Sequence, residues 1–389
     1  MGKRSKVFTA QDAQAEMAKA AVEEGDKSQL LVDRACDITP VRLRWVWPSW
    51  VPKGKITLEA GKPEIGKSTL LLDLAARLTR RAPMPDGSRG DPDDRCDVLI
   101  FSAEDTANDT IVPRLIAANA RMEHVYLERT VIDKNGMAKG FNLRDDLVAL
   151  ERKVRELRPI LVIFDPLSAY VGRIDAHRET EVRQLLRPFG ALAAEYDFAV
   201  IAIVHVNKAK DFSALMRILG SVAFGATARS VIGVVPDPDV ERQYVAGVIK
   251  TNLAVKPPAL AYQIEAITLA EKVVDWGDPE EGVWPEYEPL LEEISTTRLA
   301  WRGERTGVNV EEVMSQELEP AARVAQAETF LKEELKAGAV PQTQVETHGK
   351  AAGLSMITLN RAKKHLGVTS LKVRRGDKDL WVWALSRGN

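Results

Sequence analysis

The sequence predicts an α/β fold: a mostly parallel, twisted sheet flanked by helices, followed by a small helix-and-hairpin module. Three observations carry this. Three apolar runs, VLIFS, LVIFD and AVIAIVHV, are continuous rather than alternating, which suits strands buried on both faces. Stretches of helical periodicity separate them, among them LRDDLVALERKVRELR and VRQLLRPFGALAAEY, and such alternation implies right-handed crossovers. A glycine-bearing turn, GKPEIGKST, joins an expected strand to an expected helix.

Taken in order, residues 1–44 are polar, charged and weakly helical, with no core pattern. RLRWVWPSWVPKGKITLEA reads as a covering segment leading into a first strand, Lys55 to Ala60. Apolar spacing predicts a helix over Ser68 to Arg80, and Pro, Gly and Asp mark a loop over Ala82 to Arg95. The apolar strands and their helices follow. ARSVIGVV, YVAGVIKTNL and ALAYQIEAI then read as closely spaced, partly antiparallel strands. These elements place a core domain at 45–275. Trp, Glu and Pro enrichment marks 276–319 as a linker, and 320–389 as a second domain. There AARVAQAETFLKEELKAG, TQVETHGKAAG and SMITLNRAKKHLG read as helices, and SLKVRRGDKDLWVWAL as a hairpin turning near Gly376-Asp377. Three helices and a hairpin in so short a span is the layout of a winged helix-turn-helix.

Composition narrows the function classes. The chain has 389 residues and a formal net charge of −2, which argues against a globally basic nucleic-acid coat but not against local basic patches. No apolar span approaches the roughly 20 residues of a membrane helix. The N-terminus has basic residues without an apolar core, so no secretory signal is expected. The two cysteines, Cys36 and Cys96, fit neither a disulfide framework nor a zinc site by number or spacing. A reducing, cytoplasmic setting follows.

GKPEIGKST fits G-x-x-x-x-G-K-[ST], whose backbone N–H groups and helix N-terminus face phosphate. Gly61 and Gly66 permit the loop's shape, and Lys67, Ser68 and Thr69 open the helix. Lys67 is expected at the β/γ-phosphates of ATP, and Ser68 on Mg²⁺. Glu64 sets a negative charge within this loop. A second metal ligand is expected in Asp165, which ends the run LVIFD, because sheets of this class bind ligands at the C-terminal ends of strands. Glu104 ends another strand and is the candidate to orient water. Its neighbour Asp105 competes for that role, and the alternative is that both are solvated loop carboxylates. His205 ends the third apolar strand, either to sense the γ-phosphate or as a hydrogen-bonded strand-end histidine.

Together these stretches, with GSVAFGATARSVIGV, resemble the RecA-like ATPase core over roughly Trp45 to Ile264, and within it the RepA-type hexameric replicative helicases of plasmids and phages. The resemblance implies that Lys67 and Ser68 are the Walker A pair, Glu104 the catalytic glutamate, Asp165 the Walker B aspartate and His205 the histidine after the fourth core strand. It implies that Arg229 is an arginine finger reaching a neighbouring subunit's nucleotide, with Lys250 a second cation at that interface. A homo-oligomeric, hexameric ring and single-stranded DNA in its central channel follow as expectations. The segments expected to line that channel carry Arg173, His177 and Arg178, and Lys208, Lys210 and Arg217, cations suited to a strand's phosphates. Arg361, Lys363, Lys364, Lys372, Arg374, Arg375 and Lys378 crowd the expected recognition helix and wing of the C-terminal domain, where double-stranded DNA is the expected contact. The resemblance leaves open a RecA- or RadA-like recombination ATPase, and a regulatory DNA-binding ATPase without unwinding activity.

Overall fold

The computed structural model describes residues 32–172, 179–205, 227–277, 284–318, 320–354, 356–375 and 378–385. In chain order the strands and helices are β1 (Trp45–Trp47), β2 (Val51–Pro52), β3 (Ile56–Gly61), α1 (Lys67–Thr79), β4 (Val98–Ser102), α2 (Val112–Ala117), β5 (Val125–Leu127), β6 (Val131–Ile132), β7 (Ala138–Lys139), α3 (Leu147–Leu157), β8 (Leu161–Asp165), α4 (Glu179–Glu195), β9 (Ala199–His205), β10 (Ser230–Pro236), β11 (Gln243–Thr251), β12 (Leu260–Asp275) and β13 (Glu286–Glu304). Then come α5 (Val310–Leu318), α6 (Pro320–Glu334), β14 (Val340–Pro341), α7 (Gln342–Ala351), α8 (Met356–His365), β15 (Thr369–Arg375) and β16 (Lys378–Ala384).

One nine-stranded sheet organises the chain, in the order β13-β12-β11-β10-β3-β9-β8-β4-β5. From β10 to β5 every pairing is parallel, and β11, β12 and β13 add on antiparallel. The expected mixed α/β class holds, with the phosphate-loop strand β3 between β9 and β10. The central strands are largely apolar on both faces because both are covered. Leu58, Val162, Phe164 and Val200 pack with Leu150 of α3 and Leu186 and Phe189 of α4. Ile163, Ile201 and Ile203 pack on the other face with Leu70, Leu71 and Leu74 of α1 and Leu115 of α2. The covering segment adds Trp47 and Trp50 to that second core, their rings stacked at 4.4 Å.

The stretch 276–319 departs from the expected linker. Its described part forms β13, which pairs along β12, and α5, whose Val310 and Met314 enter the first core. The glutamates of EYEPLLEE that suggested a linker lie on a two-stranded ribbon that leaves them exposed. Trp301 anchors β13 by donating Nε1–H to Asp73 of α1 at 2.8 Å.

Residues from Pro320 onward carry three helices and a three-stranded sheet of order β14-β16-β15 around a separate apolar cluster, with Leu331, Val345, Leu359 and Trp383 at its centre. Both expected elements, helices and hairpin, are present; the Gly376-Asp377 turn lies outside the described residues. Cys36 is exposed and Cys96 buried, both as free thiols. Among the described residues no helix is long and apolar enough to cross a membrane.

Candidate nucleotide site

The loop between β3 and α1 is built around its two glycines. A Cβ at Gly61 would stand 2.8 Å from the Val234 carbonyl oxygen and 2.6 Å from Ile65 Cδ1. Gly66 has φ +83°, and a Cβ there would meet Ile264 Cδ1 at 2.7 Å. Left-handed backbone and close approach both demand glycine. Tyr262 of β12 locks the loop from outside, its hydroxyl donating to the Ile65 carbonyl at 2.7 Å. The first turn of α1 then aims free N–H groups at the loop's concavity, where an anion gains from dipole and donors together.

Glu64 is exposed, with φ +65°. Its conformation is one a non-glycine residue adopts at a cost of roughly 1–2 kcal/mol. Glu64→Gly is therefore expected to leave ATP affinity within about threefold and not to lower thermal stability. A tenfold gain in affinity by titration calorimetry, about 1.4 kcal/mol, would instead show that its charge opposes phosphate.

Lys67 is buried and donates from Nζ to the Lys62 carbonyl at 2.5 Å. Burial lowers its pKa, against the opposing pull of Glu59, Asp165 and Glu104. Asp165 ends β8 in register with Ser102 of β4 and is largely buried. Burial pushes its carboxyl up; the Ser68 hydroxyl it accepts pulls down, and the charges of Asp105 and Glu104 push up further. Ser68 and Asp165, distant in sequence, thus meet as two hard oxygen ligands. That donor set suits Mg²⁺.

Glu104 is exposed just beyond β4, and its charge reaches both Lys67 and Asp165. Asp105 accepts from Arg114 Nη1 at 2.8 Å, and its charge reaches Asp165 as well. His205 ends β9 directly opposite Gly61 in the strand register. Thr69 is buried in the first turn of α1.

Arg229 lies at the other end of the same sheet. Its backbone N–H donates to the Ile56 carbonyl at 3.1 Å, and its side chain is exposed. Gly61 follows five strand steps later, about 16 Å at ~3.3 Å each. Lys250 is close by, donating to the Ala228 carbonyl at 3.3 Å. Burial, then the Arg229 charge, lowers its pKa. Both lie at the end of the sheet opposite the phosphate loop. Arg173, His177, Arg178, Lys208, Lys210 and Arg217 lie outside the described residues.

Sequence reasoning missed Glu59. It sits in β3, fully buried, with neither carboxylate oxygen hydrogen-bonded among the described residues. Burial raises its pKa well above the usual range, Lys67 draws it down and Asp165 raises it again. The signal was a glutamate inside an otherwise apolar strand, on the same face as Thr57 and Gly61 by alternation. Folding raises this pKa, so above the unfolded value the folded state holds a proton that the unfolded state has lost. Stability then falls as pH rises, by up to about 1.4 kcal/mol per unit, until the raised folded pKa is passed. Glu59→Gln removes that slope: its melting midpoint is expected to rise above wild type's progressively between pH 5 and pH 8. A difference independent of pH over that range would refute a proton-bearing Glu59.

Comparison with known proteins gives one family match. Residues 22–211 match the family described as AAA domain, a span that includes the loop, Glu104, Asp165 and His205 but ends before Arg229. Comparison with curated proteins gives no match. Among solved structures, the crystal structure of the RadB recombinase is similar at 14% identity and a TM-score of 0.39, covering 55% of this chain and 88% of that one. The nucleotide-site geometry and the family match together support a P-loop ATPase domain.

Proposed function

We propose that this protein is an ATP-driven DNA translocase, a RepA-like helicase acting in replication of a plasmid, phage or mobile element. One observation carries the reading: Lys67, Ser68, Asp165 and Glu104 converge at one end of the sheet, while Arg229 stands at the other. In this reading Arg229 does not serve its own chain's ATP site, and a neighbour in a ring supplies it.

In this reading the loop's N–H groups and Lys67 hold the β- and γ-phosphates. Mg²⁺, when bound by Ser68 and Asp165, neutralises charge that develops on the phosphate oxygens. Glu104 orients the attacking water. His205, beside Gly61, relays the state of the γ-phosphate to the chain that follows it. Arg173, His177, Arg178, Lys208, Lys210 and Arg217 are the proposed contacts to single-stranded DNA in the channel of a hexamer. The C-terminal unit serves as a winged helix-turn-helix that contacts duplex DNA through Arg361, Lys364, Arg374 and Arg375. Lys363 contributes less than its position suggests, because it is committed to Trp383 and Ser370. A reducing, cytoplasmic setting suits the two free thiols.

Single-stranded DNA is expected to stimulate ATP hydrolysis, and the protein to unwind a forked duplex. Absence of both sinks the helicase reading. An arginine supplied by a neighbour serves a filament as well as a ring, so a recombination ATPase is the second reading. Electron micrographs with an ATP analogue and single-stranded DNA separate the two, by closed rings or by filaments. Site-specific footprints without unwinding would point instead to a regulatory DNA-binding ATPase.

A further inference from the structure

The C-terminal hairpin carries a feature that a duplex-reading helix does not need. β15 and β16 pair with Ser370 opposite Trp383, Lys372 opposite Trp381 and Arg374 opposite Asp379. Cross-strand partners share a face of the sheet, so Ser370, Lys372, Arg374, Trp381 and Trp383 lie along one side. At the base that side is closed. Trp383 is buried, and Lys363 lies over its ring at 4.2 Å while donating to Ser370 Oγ. One step outward it opens: Trp381 is 53% exposed, with exposed Lys372 directly across from it and exposed Arg374 diagonally placed. The opposite side presents exposed Leu371 and Val373.

We propose that Trp381, flanked by Lys372 and Arg374, is a stacking platform for single-stranded nucleic acid. An exposed indole face has little use against a duplex, whose bases are already stacked. Against a single strand it takes an unpaired base, while cations on either side meet the phosphates that flank it. Every base has a π-face, so such contact is tolerant of sequence. Lys363 shows the same chemistry satisfied internally: a cation on a tryptophan, with no ring face left over. The inference rests on the nucleic-acid reading of the C-terminal unit and extends it from duplex DNA to the separated strand. It gives a translocase a second hold on the strand outside the channel.

The test uses the full chain without nucleotide. Fluorescence anisotropy reads binding to labelled oligothymidylate and oligouridylate of roughly 20 nucleotides and to a duplex of similar length. Trp381→Ala is expected to weaken both single strands by about tenfold, the scale of one lost stacking contact, with the salt slope and duplex affinity unchanged. Trp381→Phe should retain most of the affinity. Lys372→Ala should reduce the salt slope by roughly 0.7, as for one phosphate contact on a single strand. Equal loss on both single strands means that stacking, not the 2′-hydroxyl, is read; loss on one alone assigns the platform to that nucleic acid. The platform is overturned if wild type binds neither single strand, if Trp381→Ala binds both as wild type does, or if it loses duplex equally. Trp381-dependent binding without DNA-stimulated hydrolysis would sink the translocase and leave the platform standing. Stimulated hydrolysis with binding indifferent to Trp381 would do the reverse.

Discussion

Lys67→Ala is expected to abolish ATP hydrolysis while leaving the fold intact. The lysine's position makes both halves of that expectation. Its Nζ is buried, lies within the Coulombic reach of Glu59, Asp165 and Glu104, and donates to the Lys62 carbonyl of its own loop. A bound γ-phosphate would meet a pre-placed cation there, with little reorganisation left to perform. Loss of one such donor in a dry site typically costs about 10²–10³ in rate. The same burial lowers the lysine's pKa, so the ammonium is a burden on the nucleotide-free protein. The variant's melting midpoint without nucleotide is therefore expected to match or exceed that of wild type. The stabilisation that ATP and Mg²⁺ confer on wild type should disappear, since only binding to the folded state raises the midpoint. Phosphate release and thermal shift, measured with and without ATP and Mg²⁺, check both. Hydrolysis within tenfold of wild type would remove Lys67 from the site.

Much of this site was legible because its residues sit at strand ends. The continuous runs ending in Asp165 and His205 mark strands covered on both faces, and the phosphate loop fixes which sheet edge they share. The meeting of Ser68 with Asp165 and the register of His205 with Gly61 follow from that one fact. Three features were not legible, each because its cause is tertiary. Glu59 reads as an interruption in an apolar strand; its importance comes from the cover of the second core, which buries it without a hydrogen-bond partner among the described residues. β13 reads as a linker because EYEPLLEE has no buried face. It is held by backbone pairing to β12 and, further on, by Leu299 and Trp301. β14 has only two residues and exists through its pairing with β16.

Arg229→Ala is expected to lower hydrolysis by about 10³-fold or more, the scale of an arginine finger supplied by a neighbour, while ATP affinity changes little. The geometry separates this from the ordinary alternative, an exposed surface arginine whose ion pairs are worth a fraction of a kcal/mol. Arg229 hangs from the end of β10 beside Ile56, and its own phosphate loop begins beyond Gly61 at the far end of β3. Reach within one chain is excluded by a strand's length of roughly 16 Å; reach into the next chain is what the exposed position permits. Mixing decides the matter. A Lys67→Ala subunit lacks a working loop but keeps its arginine, and an Arg229→Ala subunit has the opposite defect. Wherever the first donates its arginine to the second, one complete site forms. An equimolar mixture of the two inactive variants should therefore recover a substantial fraction of wild-type hydrolysis. That recovery should fade on dilution as the oligomers dissociate. A mixture no more active than its parts, or an Arg229→Ala protein within twofold of wild type, would return Arg229 to the surface and with it remove the reason for a ring.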